Sequence, residues 1–376
     1  MANSSSSVDY LQIFENDVRI DLNHNSFPGI PSNYKLPYST IGDMVGNFTF
    51  EKFLLNRDIQ KQVIEYRTEK NYSLVLKRLV TMCNISDSSS ILSNPEMREF
   101  LNSALKEFVI TRIISTHPAG IIAFDFKVTF VTKQYWLITE FLMEKAGMSL
   151  SEYISDSGNK YDFIKILTQL ASVMNYMESM KIYHSDIKLD NILIDSQGNL
   201  RIIDYGVSKL GSYYSKSANK TINQISGYTN GFVPPEVYKA IEEAIKNNTD
   251  SSLPKILPWK ADIYSCGIVG LCISGALNLF DIANITDLDT YKENETKHQK
   301  IIDKCNKIDC NDPLLTQKMQ FVLKVCLSYD PKQRINFSQF DNIMKKIKDN
   351  DYDLIKLQTE IENYRKETPS MNTLKT

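Results

Sequence analysis

No Cys-x-x-Cys pair occurs among the six cysteines, at 83, 266, 272, 305, 310 and 326, and histidine is scarce, with four scattered copies. Zinc-ribbon and thioredoxin-like chemistry is thereby excluded, and the thiols read as reduced core or surface groups. Neither sign of charge dominates: 43 Lys and Arg stand against 45 Asp and Glu, for a formal net charge of -2. No global drive toward nucleic acid or anionic membranes follows, so no nucleic-acid partner is expected. Long apolar runs are missing as well. The most apolar stretch, SCGIVGLCISGALNLF at 265–280, is shorter than the roughly 18–20 residues of a membrane span, and no span is expected. The opening MANSSSSVDY has no basic segment followed by an apolar one, which argues against a secretory signal. With no basic import cluster or lipidation signal, the expected setting is intracellular, cytoplasmic first, with the nucleus left open. Internal repeats and sustained heptads are also absent.

What remains is a chain of 376 residues, 42% hydrophobic, long enough for two domains or one two-lobed unit with substantial cores. Residues 1–47 are rich in Ser, Asn, Asp, Gly and Pro and read as an irregular extension, tethered by Phe27 or Tyr34. Strand-like runs follow: FTFEKFLL at 48–55, QVIEYRTE at 62–69 and YSLVLKRLV at 72–80, with the alternation of a twisted antiparallel sheet. NPEMREFLNSALKEFVITRIIS at 94–115 repeats its apolar positions every three and four residues, and Pro95 opens it as a helix. IIAFDFKVTF and YWLITEFL are further strands, and DFIKILTQLASVMNYMESM is a long amphipathic helix. Beyond it the chain is mainly helical, apart from a hairpin-like ILID-SQGN-LRII. The charged segment from 349 to 376 aligns Leu354, Leu357 and Ile361 on one helical face, suited to docking on the body or on a partner.

One constellation carries chemistry. In HSDIKLDNILID, Asp186, Lys188 and Asn191 lie close together, and Asp204 in IIDYG follows Asn191 by thirteen residues, beyond the hairpin. Phosphoryl transfer needs a carboxylate to orient an acceptor hydroxyl, a cation near the migrating group and oxygen ligands for Mg²⁺. These four residues supply that set.

At this point the chain resembles the eukaryotic protein kinase family, of the serine/threonine type. HSDIKLDN is similar to the His-Arg-Asp catalytic loop and DYG to the Asp-Phe-Gly motif. The resemblance implies an α+β bilobal fold, with a small antiparallel β lobe bearing one helix and a mainly helical large lobe. Its kinase domain would run from 48 to 348, with the small lobe at about 48–140 and the large lobe at about 143–348, followed by the charged helix or tail at 349–376. By the same resemblance, Asp186 is the catalytic base, Lys188 contacts the γ-phosphate, and Asn191 and Asp204 hold Mg²⁺. Lys77 in LVLKRL stands like the lysine that grips the α- and β-phosphates of ATP. Its glutamate partner is best matched by Glu107, with Glu99 the weaker alternative. WLITEFL resembles the strand leading into the hinge, which makes Thr139 the gatekeeper and turns backbone groups of Glu140 and Leu142 toward adenine. Val63 and Leu193 complete the nucleotide-binding set. Glu236 in PPE and Arg334 match a structural salt bridge, and Asp262 matches a brace for the catalytic loop. Lys188 and Thr229 resemble the serine/threonine rather than the tyrosine pattern. A protein substrate or scaffold partner is implied, while substrate identity and oligomeric state stay open.

Two departures matter. Counting back from Val63, Asn56, Asp58 and Lys61 stand where Gly-x-Gly-x-x-Gly should be, so the phosphate loop lacks the residues that permit close backbone approach. An active kinase with a different lid and a pseudokinase scaffold both follow from this pattern. Ser185 also replaces the arginine that pairs with activation-loop phosphate, which removes that charge neutralisation.

Overall fold

The structure, a computed structural model, describes residues 20–24, 48–56, 60–68, 71–83, 91, 93–131, 135–156, 161–210, 229, 231–240, 257–278, 281, 294–350 and 353–367. Phe27, Tyr34 and Asp58 lie outside these residues. The chain divides into two compact units. The first holds the described residues up to Gly147 together with Ile203–Gly206, and the second holds Met148–Ile202 and the residues from Val207 onward.

The first unit is built on a six-stranded sheet. Its strands are β1 (Ile20–His24), β2 (Phe48–Asn56), β3 (Lys61–Thr68), β4 (Ser73–Met82), β5 (Ala123–Val131) and β6 (Trp136–Glu144), in spatial order β1-β5-β6-β4-β3-β2. All neighbours are antiparallel except β1, which runs parallel to β5. The segment read as irregular thus contributes an edge strand. Five residues with Asp and Asn have little strand preference of their own, but pairing with β5 satisfies backbone groups that an open edge would leave bare.

Period-two alternation sends two different sets of side chains to the two faces of this sheet. Ile64, Tyr66, Leu74, Leu76 and Leu142 form one cluster, with Phe50, Phe53 and Phe124 packed on it. The opposite face carries Val63 across from Lys77, which in turn lies across from Phe141. Helix α1 (Pro95–Ile114) covers that second face. Its start is set by Asn94, whose Oδ1 accepts from the amides of Glu96 and Met97, with Pro95 in the first turn where its missing N–H costs nothing. The buried stripe Met97, Leu101, Ala104, Leu105, Ile110 and Ile114 has helical spacing, and Phe108 meets both Phe126 and Phe141. Glu107 is the one carboxylate inside this stripe, so its burial demands a cationic partner.

The second unit opens with β7 (Met148–Ser149) and α2 (Leu150–Ser155), joined by a capping box between Ser149 and Glu152. Helix α3 (Phe163–Ser179) is capped by Asp162 and leads to β8 (Ile182–Tyr183). Strands β9 (Ile192–Ile194) and β10 (Leu200–Ile202) form the expected hairpin. Asp195 Oδ1 closes its turn by accepting from the amides of Gln197 and Asn199. A short β11 (Lys209–Leu210) pairs with β8. The helical body is α4 (Pro258–Ile273), α5 (Asn294–Cys305), α6 (Pro313–Cys326), α7 (Phe337–Lys348) and α8 (Leu354–Glu367).

Helix α4 is buried along nearly its whole length. It fits against the end of α6 because Gly267 and Gly270 have no side chains: a Cβ would lie 2.8 Å from Leu327 Cγ at one and 2.7 Å from Leu323 Cδ2 at the other. The C-terminal α8 docks on the body of its own unit. Leu357 and Ile361 are fully buried, and Glu360 accepts from Asn342 and pairs with Lys346 of α7.

His298 on α5 is packed against the rings of Tyr264 and Tyr329 at 6.1 and 5.2 Å. Burial, reinforced by the Arg334 guanidinium, lowers its pKa from 6.5 to about 4. The folded protein therefore keeps the ring neutral through a window in which the unfolded chain takes up a proton. Stability contributed here is present above pH 6.5 and is lost as pH falls toward 4. The expected result is that His298→Phe flattens the pH dependence of urea unfolding between pH 6.5 and 4 relative to wild type. Equal slopes for the two proteins would remove His298 from the acid response.

Candidate active site

In the first unit, four charged side chains converge on one face of the sheet. Lys77 is buried at the centre of β4, and its Nζ donates to Glu107 Oε1 and, at 2.8 Å, to Asp204 Oδ1. Phe141 lies beneath the ammonium, with its ring centroid 5.6 Å away. Glu99 is exposed on α1, and Glu107 is the partner because it belongs to the buried stripe. Asp204 Oδ2 accepts from Lys61 Nζ at 3.3 Å. Asp204 also holds φ at +65°, a left-handed conformation that a short polar side chain tolerates better than most. Gly206 follows, where a Cβ would lie 3.4 Å from Glu107 Oε2 and 3.5 Å from Asp204 Oδ1.

Burial alone would depress the Lys77 ammonium, but the carboxylates of Glu107 and Asp204 outweigh it and hold its pKa above the ordinary lysine value. Burial likewise pulls Asp204 upward, while the charges of Lys77 and Lys61 overcome it and keep the carboxyl far below the usual range. Burial raises Glu107, with Lys77 opposing. The outcome is an ionised Asp204 whose side chain keeps 30% exposure, beside a lysine that keeps only 7%.

Thr139 was expected as the gatekeeper, with backbone groups of Glu140 and Leu142 turned toward adenine. All three lie inside β6, which continues to Glu144. Each is paired on one side with β4 (Leu79, Arg78 and Leu76) and on the other with β5 (Val128, Lys127 and Asp125). Backbone groups of a central strand are engaged by both neighbours and are not free for a ligand. The Glu140 carboxylate is buried against Arg78, and Leu142 belongs to the apolar cluster on the opposite face. The strand ends at Glu144, whose amide still donates to Ile122 O; Lys145, Ala146 and Gly147 then leave the sheet. Val63 is half-buried on the Lys77 face.

In the second unit, Asp186, Lys188, Asn191 and Thr229 form a closed hydrogen-bonded set. Asp186 Oδ1 accepts from Thr229 Oγ1 at 2.6 Å. Its Oδ2 faces Lys188 Nζ at 2.8 Å and Asn191 Nδ2 at 3.0 Å. Asn191 Nδ2 also donates to the Asp186 carbonyl at 2.8 Å, which ties the two ends of the loop. Lys188 Nζ completes the set by donating to Thr229 Oγ1 at 2.8 Å. The loop is held from below by Asp262, whose carboxylate accepts from the amides of His184 and Ser185 at 2.7 and 2.9 Å. Burial raises the Asp262 pKa to about 7, although those two donors oppose the shift. Ser185 has φ +65° and is buried, so the residue standing in place of arginine serves the turn and presents no charge. Leu193 is half-buried in β9, across from Arg201 of β10 and Ser149 of β7.

Glu236 and Arg334 form the expected bidentate pair, at 2.6 and 2.8 Å. Among the described residues no group of three or more His, Cys, Asp or Glu is arranged to hold a metal ion. Mg²⁺ sites at phosphates commonly use only one or two protein oxygens and fill the rest with water and phosphate. An ionised Asp204 in the first unit and the amide oxygen of Asn191 in the second are each hard donors of that kind. Both oxygens of Asp204, however, already carry ammonium groups.

Comparison with known proteins agrees with this picture. The family profile described as "Protein kinase domain" matches residues 68–346. The CBL-interacting protein kinase 22 of Oryza sativa subsp. japonica is 28% identical over 183 residues, covering 48% of this chain and 37% of that protein. CBL-interacting protein kinase 25 of the same plant is 35% identical over 105 residues, 28% of this chain and 17% of its own length. The CBL-interacting serine/threonine-protein kinase 8 of Arabidopsis thaliana is 26% identical over 252 residues, 66% of this chain and 46% of that protein. The chain spans less than half the length of these relatives. Among the described residues no helix is long and apolar enough to cross a membrane.

Proposed function

This chain belongs to the protein kinase family, and we propose that it is an ATP-dependent protein serine/threonine kinase, acting on a protein hydroxyl in the cytoplasm or nucleus. The observation that carries the reading is the Asp186–Lys188–Asn191–Thr229 set, in which every polar side chain is satisfied by another member. Preorganised polar groups of this kind are what phosphoryl transfer asks of a protein, because positioning and charge stabilisation do most of the work.

In this reading Asp186 Oδ orients the acceptor hydroxyl and takes its proton, and Lys188 faces the migrating phosphoryl oxygens. Lys77, fixed by Glu107, binds the α- and β-phosphates. Asn191 and Asp204 would hold Mg²⁺, which supplies positive charge for the phosphate oxygens. Val63 and Leu193 are assigned to the adenine ring. Thr229 bonds both Asp186 and Lys188 and supports a serine/threonine acceptor. The test is phosphoamino-acid analysis of a mixed protein substrate labelled from γ-³²P ATP. Phosphoserine and phosphothreonine are expected; label confined to phosphotyrosine would overturn the acceptor class.

A second reading, a pseudokinase scaffold, is favoured by one observation: Asp204 is saturated by two lysines beside a loop that lacks the usual glycines. It requires partner binding without ATP-dependent transfer.

A further inference from the structure

Lys61 takes no part in the chemistry assigned above, yet it is aimed at the same carboxylate as Lys77. It begins β3 at the position of the third loop glycine, on the face that also carries Val63 and Lys77. Its Nζ is 3.3 Å from Asp204 Oδ2, while Lys77 Nζ is 2.8 Å from Oδ1. With Glu107 the cluster holds two cations and two anions, so it is locally neutral. Without Lys61 it would carry a net negative charge and would repel a polyphosphate unless a metal ion were added.

We propose that Lys61 is a resident cation of the phosphate site, which sustains nucleotide binding without a metal and competes with Mg²⁺ for Asp204. The inference rests on the reading of Lys77 and Asp204 as a nucleotide site. Lys61 suits the role because its side chain keeps 37% exposure on a flexible four-carbon stem, and its ammonium can turn from the carboxylate to a phosphate oxygen. Metal ligation by Oδ2 requires the reverse movement, in which the ammonium leaves that oxygen. Lys61 therefore lowers the need for a metal and raises the Mg²⁺ concentration at which one binds.

The test is titration of a fluorescent ADP analogue onto the full chain, in EDTA and across a Mg²⁺ series, for wild type, Lys61→Met and Lys61→Arg. Wild type is expected to bind in EDTA. Lys61→Met is expected to lose about tenfold or more of that metal-free affinity, the scale of a charge-assisted hydrogen bond to phosphate. The same variant should reach half-saturation at a lower Mg²⁺ concentration, and Lys61→Arg should retain metal-free binding. A merely structural role would weaken binding equally with and without Mg²⁺, and that result would overturn the proposal. Wild type that binds with Mg²⁺ but not in EDTA would also overturn it, while leaving the kinase reading intact. Absence of binding under both conditions would contradict the nucleotide site itself, and the inference with it.

Discussion

Asp186→Asn is expected to lower phosphoryl transfer by about 10²- to 10⁴-fold, the range associated with loss of a positioned general base. The substitution keeps the size of the side chain and removes its charge and one acceptor oxygen. Oδ1 is held by the Thr229 hydroxyl and Oδ2 by Lys188 and Asn191. Turned toward Lys188 and Asn191, the NH₂ group of the new amide faces two donors; turned toward Thr229, it meets a hydroxyl that must give up its donated bond to accept one. The damage is confined to the loop, because the brace from Asp262 to the amides of His184 and Ser185 does not involve the Asp186 side chain. Thermal unfolding should therefore shift little while transfer collapses. A variant retaining more than about a tenth of wild-type transfer would remove Asp186 from the role of base.

The largest effect on stability is expected at Arg334. Its side chain is fully buried, donates twice to Glu236, and reaches the carbonyls of Ser328, Lys260 and Tyr329. The guanidinium carbon also lies 4.9 Å from the ring centroid of Tyr264. Arg334→Met preserves much of the apolar stem but strands a carboxylate and three carbonyls that were folded around a donor. Removing one partner of a buried pair costs about 3–5 kcal/mol, because the remaining charge is left without compensation. Urea unfolding should show a loss of that order, and Glu236→Gln combined with Arg334→Met should cost less than the sum of the two single changes. A loss below about 1 kcal/mol would mean that the pair is not a structural lock.

These residues also show what was legible before any coordinates. Glu107 could be chosen over Glu99 because THPAGI follows it at the spacing where the resembled family carries a His-Pro pair; the structure buries it within an apolar stripe against Lys77. Asp186, Lys188 and Asn191 were readable because they share one short loop, whereas Thr229, 43 residues from Asp186, was readable only by its resemblance to the serine/threonine pattern. The hairpin from Ile192 to Ile202 was readable from its alternation and its SQGN turn. The end of β6 was not. WLITEFLME is apolar on both faces because α1 covers one side and the Phe50–Phe53–Phe124 group covers the other. No change of pattern therefore marks where pairing stops, and Thr139, Glu140 and Leu142 were placed at a strand end they do not occupy. The strand Ile20–His24 escaped notice for a different reason, since its pairing depends on the β5 edge and not on its own composition. Lys61 was visible as a departure from glycine, but its partner could not be known, because Asp204 is 143 residues away.

The central claim is tested most directly by Mg²⁺-dependent transfer of label from γ-³²P ATP to protein substrate, measured for wild type beside Asp186→Asn. Incorporation by wild type that disappears in the variant is the expected result. Equal incorporation by both proteins, or none by wild type across a broad range of Mg²⁺ and substrates, would contradict it.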